Sequence, residues 1–245
     1  RIAEKYGEDS DTTRIEVKGQ FPRTGSNQFI GREVVSYAAE RELVPDDGAP
    51  LTMGIDVARF GDDESVFYFR RGRDARTIKP IRFKKTDTMS LAAEAATTIE
   101  RLKPDAVFID GGGVGGGVVD RLKMLGYRVI EVQSGELARD EAKYLNRRAE
   151  LWGEMREWLI YGCIPNDEQL IDDLTGPEYA LHLKGQIKLE SKDAMKKRGL
   201  ASPDDGDALA LTFAEPVSRM DAATARRMNR MRGMVADSDY DVFST

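Results

Sequence analysis

The chain alternates between short, dense apolar runs and longer stretches in which apolar residues recur every three or four positions. Residues 51–57, 65–69 and 106–110 are runs of the first kind and predict buried strands. The first two flank the loop 58–64, a length that suits a hairpin, and residues 77–83 predict a third antiparallel strand. Leu91, Ala95, Ile99 and Leu102 have helical spacing, with Ser90 placed to cap that helix and Pro104 to end it. After the strand at 106–110 comes a glycine run, then a helix over about 117–125 stopped by Gly126, then a strand over 128–132. The middle of the chain therefore reads β-α-β-α-β, a parallel element added to a hairpin.

Further on, Leu145, Ala149, Trp152, Met155 and Leu159 share one helical face and predict a helix over 140–161. Residues 167–174 predict another. Residues 179–183 and 186–190 flank Lys184-Gly185, which predicts a hairpin with a two-residue turn. A last helix starts near Asp204 and carries Ala208, Leu209 and Leu211. Residues 1–50 are polar and turn-rich, with a strand-like stretch at 14–21 and a helix at about 32–41; 45–50 read as a boundary. Residues 216–245 form an Arg/Met-rich and then acidic tail, expected to be mobile or partner-bound. The organisation expected is a leading segment (1–50), one domain (51–215) and a tail.

Composition narrows the class. At 245 residues, with 40% hydrophobic and 33% charged, the chain can bury a sizeable core. One cysteine excludes an internal disulfide framework and suits a reducing compartment. No apolar run approaches ~18 residues, so no membrane span is expected. There is no signal peptide and no initiator Met, which suggests a fragment of a longer polypeptide. The net charge of −6 counts against a general nucleic-acid binder, but residues 184–198 carry six basic residues against two acidic. His182 is the only histidine, which excludes a His-rich metal site.

Four acids stand out against this background. Asp56 interrupts the first strand and points opposite to Ile55 and Val57. Asp110 ends the apolar strand 106–110. Asp204 and Asp207 open the last helix, three residues apart and on one face. Ionised carboxylates in such settings are costly unless paired or metal-bound. If the strands of Asp56 and Asp110 are adjacent and parallel, the last helix can bring Asp207 beside them. Clustered carboxylates without His or Cys suit Mg²⁺ or Mn²⁺. Two such ions ~4 Å apart can clamp the attacking and leaving oxygens of phosphodiester hydrolysis. Plainer roles exist for each acid: a structural hydrogen bond for Asp56, a helix cap for Asp110 or Asp204, a dipole contact for Asp207. Asp62, Asp63 and Glu64 read as loop charges.

The glycine run has two readings. Gly111, Gly113 and Gly116 fit G-x-G-x-x-G, and Glu131 lies about twenty residues on, nearly the full dinucleotide-binding fingerprint. However, Asp110 directly before the glycines would repel a pyrophosphate and would assist a metal site. A dinucleotide domain also opens strand–glycine turn–helix, whereas this one opens with a hairpin. The second reading is that the small residues let a phosphate backbone approach the metals.

The stretches MGIDVARFGDDESVF (53–67), AVFIDGGGVGGGVVDRL (106–122), YLNRRAELWGEM (144–155) and GQIKLESKDAMKKRGLASPDDGDALALTF (185–213) resemble, in that order, the RNase H-like nuclease domain of tailed-bacteriophage large terminase subunits. The resemblance spans about 51–215. It implies an α/β fold: a mixed central sheet, antiparallel hairpin plus parallel strands, flanked by helices and carrying an added β-hairpin. The implied activity is divalent-metal-dependent endonucleolytic cutting of concatemeric double-stranded viral DNA during packaging. It implies Asp56, Asp110 and Asp207 as ligands of two Mg²⁺ or Mn²⁺ ions, Asp204 as an adjacent auxiliary, and Lys188, Lys192, Lys196, Lys197 and Arg198 as phosphate-holding residues. It further implies an ATPase motor domain, a small terminase subunit and a portal as partners, in the host cytoplasm. One departure is the absence of G-x-x-x-x-G-K-[ST], so translocation cannot reside in this chain. Alternatives are an actin-like or sugar-kinase-type nucleotide-binding protein, disfavoured by Asp204 and Asp207 where a second phosphate loop would lie; a Holliday-junction resolvase-like nuclease; and a non-enzymatic DNA-binding module.

Overall fold

The computed structural model describes residues 27–58 and 63–219. The strand-like stretch at 14–21, Asp62 and the tail beyond 219 lie outside them. Five strands form one mixed sheet in the order β3-β2-β1-β4-β5: β1 (Leu51–Asp56), β2 (Glu64–Arg71), β3 (Ile81–Lys84), β4 (Ala106–Asp110) and β5 (Ile130–Val132). The first three run antiparallel through short connections. β4 and β5 pair parallel, β4 on β1, because helical crossovers precede them: α2 (Thr88–Leu102) and α3 (Gly115–Met124). The antiparallel pairs are incompatible with the parallel dinucleotide fold raised by the glycine pattern.

Strand alternation divides the core in two. Met53, Ile55, Phe67, Phe69, Val107 and Ile109 bury against α2 and α3 on one face. Val66, Tyr68, Phe108 and Val132 face the other way, towards α1 (Arg32–Glu40), α4 (Arg147–Leu159), α5 (Glu168–Thr175) and α7 (Asp204–Leu211). Phe29, Ile30, Val34, Val35 and Ala38 belong to this second core, so residues well before the expected boundary at 45–50 pack into the domain. A two-stranded ribbon, β6 (Tyr179–Leu181) and β7 (Ile187–Leu189), leads into the short α6 (Lys192–Lys197).

Three local expectations shift. The cap of α2 is Asp87, not Ser90: its Oδ1 accepts from the amides of Met89 (2.9 Å) and Ser90 (3.0 Å). Ser90 lies in the first turn and donates its hydroxyl to Asp87 Oδ2 at 2.6 Å. Next, α4 begins at Arg147 rather than near 140, because Asn146 caps it by accepting from the Ala149 amide at 3.0 Å. Residues 143–145 instead run beside β7, where Ile187 N donates to Lys143 O (2.8 Å) and Leu145 N to Ile187 O (2.9 Å). The helical spacing of Leu145 was therefore coincidental. Finally, the ribbon turn is longer than two residues. Gly185 N donates to His182 O, His182 N to Gln186 O, and Gly185 takes φ +78°, a type I turn closed by a left-handed glycine.

One contact sets the geometry of the whole second face. Helix α7 lies directly across β1, and a Cβ on Gly54 would overlap the carbonyl oxygen of Ala208. Gly54→Ala is therefore expected to cost at least about 2 kcal/mol in denaturant unfolding, since overpacking against backbone finds no flexible atom to move. Gly135, around which there is open space, is the control: Gly135→Ala should fall within about 0.5 kcal/mol of the parent. Equal effects at the two positions would contradict this packing.

Candidate active site

The parallel register of β1 and β4 pairs Ile55 with Ile109, so Asp56 and Asp110, the next residues, leave the sheet side by side. Both point to the α7 face, because Ile55 and Ile109 point to the other. Helix α7 adds Asp204 and Asp207 from its first turn. Asp56, Asp110, Ser134, Arg148, Trp152 and Asp207 line one small cavity there.

A lysine occupies the middle of this group. Lys192 Nζ lies 2.9 Å from Asp56 Oδ2, 3.2 Å from Asp204 Oδ1 and 3.1 Å from Asp207 Oδ2. Burial works to lower its pKa, but the three carboxylates outweigh that and hold it well above the usual lysine range. Lys192 is thus drawn away from the outward phosphate-holding run in which the sequence places it. Among the other four, Lys196 pairs with Asp63 (2.8 Å). Arg198 is fastened to Glu190, Glu178 and the Gly176 carbonyl. Lys188 and Lys197 are exposed.

The acids differ in their electrostatics. Burial raises Asp56 to about 7; Lys192 opposes this, while Asp207 and Asp204 reinforce it. Burial would raise Asp207 too, but Arg148 and Lys192, with hydrogen bonds from Arg148 and Trp152, hold it down to about 2. Asp204 is raised by burial against the pull of Lys192. It does not cap its helix: Oδ2 accepts from the Glu64 amide at 2.9 Å and Oδ1 faces Lys192. Asp110 accepts from the Gly112 amide at 3.0 Å, a turn within its own loop. The glycines serve several ends. A Cβ on Gly115 would strike the Asp110 carbonyl, Gly113 needs φ +63°, and Gly117 is exposed, where a Cβ would meet only the Thr88 hydroxyl at 4.0 Å.

Several residues of the site carried no assigned role in the sequence. Arg148 donates through Nε to Asp207 Oδ1 (2.8 Å), and Trp152 Nε1 donates to the same oxygen (2.7 Å). Asp173 on α5 caps α7 from outside: its Oδ2 accepts from the amides of Asp205 (2.8 Å) and Gly206 (3.4 Å). Arg82 on β3 grips fully buried Asp205 with Nε and a terminal nitrogen. No apolar periodicity marks such residues. Only the helical phase of Arg148 and Trp152, four apart on one face, hints at a shared target.

As the side chains stand, no three acidic side chains among the described residues are gathered closely enough to share one metal ion. The donor chemistry nevertheless fits a hard cation. Three carboxylates already converge on one positive charge, and the donors are all oxygen.

Comparison with known proteins bears on this arrangement. No family model matches the chain. The chain is 27% identical over 223 residues to a probable terminase large subunit of Enterobacteria phage P7, covering 84% of this chain and 45% of that protein. In sequence the chain is similar to a phage terminase large subunit. It spans less than half the length of that relative. In structure it is similar to the nuclease domain of the large terminase subunit of bacterial virus Sf6, a lysine-to-alanine variant with manganese and β-thujaplicinol. That match has TM-score 0.68 at 19% identity, covering 77% of this chain and 99% of the other. It is also similar to the large terminase nuclease of thermophilic phage G20c with bound magnesium, at TM-score 0.53, 16% identity and 69% and 83% coverage. The Thermus phage P74-26 large terminase nuclease domain gives TM-score 0.51 at 14% identity, covering 71% and 84%. The fold is thus the RNase H-like one of terminase nuclease domains. No described helix is long and apolar enough to cross a membrane.

Asp173 offers a pH test of the support behind the first turn of α7. Burial, then the neighbouring Asp205 charge, pushes its carboxyl up to about 8. The folded state therefore holds this proton more tightly than the unfolded chain. Its contribution to stability is fully present below about pH 4 and is lost as pH rises through about 8. Asp173→Asn keeps a neutral acceptor for the two amides. The melting temperature of wild type relative to Asp173→Asn should fall as pH rises from 5 to 9; a constant difference would refute the assignment.

Proposed function

We propose that the chain is the nuclease portion of a DNA-packaging terminase, cutting concatemeric double-stranded viral DNA by divalent-metal-dependent phosphodiester hydrolysis in the host cytoplasm. The observation that carries the reading is the convergence of Asp56, Asp204 and Asp207 on one cationic centre beside Asp110, at the end of an RNase H-like sheet. Asp56, Asp110 and Asp207 would hold two Mg²⁺ or Mn²⁺ ions, with Asp204 as the auxiliary ligand. Bound there, the ions supply Lewis-acid polarisation of the phosphoryl group and neutralise its developing charge.

The chain's own residues prepare this chemistry. Asp207 is kept ionised by Arg148 and Trp152. Lys192 balances the carboxylates and must withdraw from them before they can turn to a divalent cation. Exposed Lys188 and Lys197 hold DNA phosphates without reading sequence. Beyond the chain, the reading implies an ATPase motor domain, a small terminase subunit and a portal as partners. The nucleotide-binding alternative gains nothing from the geometry, since Asp204 and Asp207 fill the place of a second phosphate loop.

Incubation with linear and supercoiled plasmid and Mn²⁺ or Mg²⁺, against an EDTA control, tests the proposal. Cutting should require metal and fall by more than about 100-fold in Asp56→Ala and in Asp110→Asn, more than loss of a supporting residue would cost. DNA binding should persist in both. Undiminished cutting by either variant would remove that residue from the metal site. Lys192→Ala should bind Mn²⁺ more tightly than wild type by calorimetry, because the competing ammonium is gone; unchanged or weaker binding would oppose the competition.

A further inference from the structure

Asp207 is held more tightly than its three acidic neighbours, and chiefly through one of its two oxygens. Its Oδ1 accepts from Arg148 Nε at 2.8 Å and from Trp152 Nε1 at 2.7 Å, which uses both lone pairs of that oxygen. Its Oδ2 faces Lys192 Nζ at 3.1 Å and has only a long 3.3 Å contact to the Arg148 terminal nitrogen. Both donors stand on α4, four residues apart, and neither is free to move. The Arg148 amide donates to Ser134 O (2.9 Å), and its remaining terminal nitrogen donates to Glu190 O (2.8 Å). Trp152 is fully buried, and its ring lies against Gly206, where a Cβ would stand 2.8 Å from the indole. Glycine at 206 therefore lets the indole reach the carboxylate one residue further along α7.

We propose that Arg148 and Trp152 form a rigid bracket that fixes Asp207 as a one-oxygen ligand, offering only Oδ2 to the metal centre. The proposal rests on the nuclease reading above and names positioning residues, since neither side chain is assigned contact with the substrate. Two consequences follow from the bracket. Asp207 cannot swing to chelate one ion with both oxygens without abandoning two short hydrogen bonds. Its charge is also partly spent on Arg148, so its hold on a cation depends on orientation more than on charge alone.

The test uses the full chain and separates orientation from chemistry. Trp152→Phe keeps an aromatic ring in the core but removes the N–H. Arg148→Lys keeps the charge but loses the fork, and Arg148→Gln loses both. Plasmid cutting is measured over a Mn²⁺ titration, with Mn²⁺ binding measured by calorimetry without DNA and folding checked by thermal melts. Trp152→Phe and Arg148→Lys should need 10–100-fold more Mn²⁺ for half-maximal rate, with the rate at saturating Mn²⁺ within about 3-fold of wild type. Arg148→Gln should be shifted further than Arg148→Lys. If Trp152→Phe does not fold, the two Arg148 variants decide. Folded variants with the wild-type Mn²⁺ dependence, or with lost saturating rate at unchanged half-saturation, overturn the bracket. A wild type that neither cuts DNA nor binds Mn²⁺ overturns the nuclease reading itself, and the bracket with it.

Discussion

The structure depends on the passage of one helix across one strand. Helix α7 can lie against β1 only because Gly54 has no side chain where the Ala208 carbonyl sits. That approach brings the first turn of α7 to the ends of β1 and β4, and so brings Asp204 and Asp207 to Asp56 and Asp110. The opposite face of the sheet contributes none of these groups. It supplies apolar bulk from Met53, Ile55, Phe67 and Val107 that packs against α2 and α3. The division of labour follows strand alternation: odd positions of β1 build core, while Thr52, Gly54 and Asp56 meet α7.

Concentrating four carboxylates in so small a space is unfavourable, and the chain meets that cost with three kinds of partner. Lys192 bridges three of them. Arg148 and Trp152 secure Asp207, and the Glu64 amide secures Asp204. The first turn of α7 is braced from behind by Asp173 and Arg82. The result is unequal: Asp207 stays ionised while Asp56 is raised to about 7. Where like charges are crowded, one is made permanent and another kept adjustable. Such an arrangement accepts incoming positive charge readily, since added cations relieve strain the fold already bears.

Much of this was legible in the residues. Dense apolar runs marked β1, β2 and β4; Asp56 and Asp110 stood out because they interrupt or end such runs, and Asp204 and Asp207 because they open a helix on one face. Their convergence could be expected once the hairpin and the crossover fixed which strands are neighbours. What could not be read were interactions decided by side-chain reach. Lys192 sits in a run of basic residues, yet its ammonium turns inward while Lys197 stays outside. Asp87 outcompetes Ser90 for the cap of α2 because its carboxylate reaches two amides at once. Asp173 accepts from an amide 32 residues away in sequence, beyond any local signature. The glycine pattern was ambiguous for a related reason: the same spacing serves a dinucleotide turn and the close approach of α3 to the Asp110 carbonyl.

The separation of these groups along the chain has a kinetic meaning. Lys192 and Asp56 are 136 residues apart, and Asp204 meets the Glu64 amide across 140. Neither contact can form until α6 and α7 have emerged and docked on β1 and β2, and loop closure over such lengths makes that step late and slow. An unfinished or partly unfolded chain therefore displays scattered single carboxylates, which hold divalent ions poorly. The centre exists only in the completed fold, so the integrity of the whole domain is a precondition for any chemistry it performs.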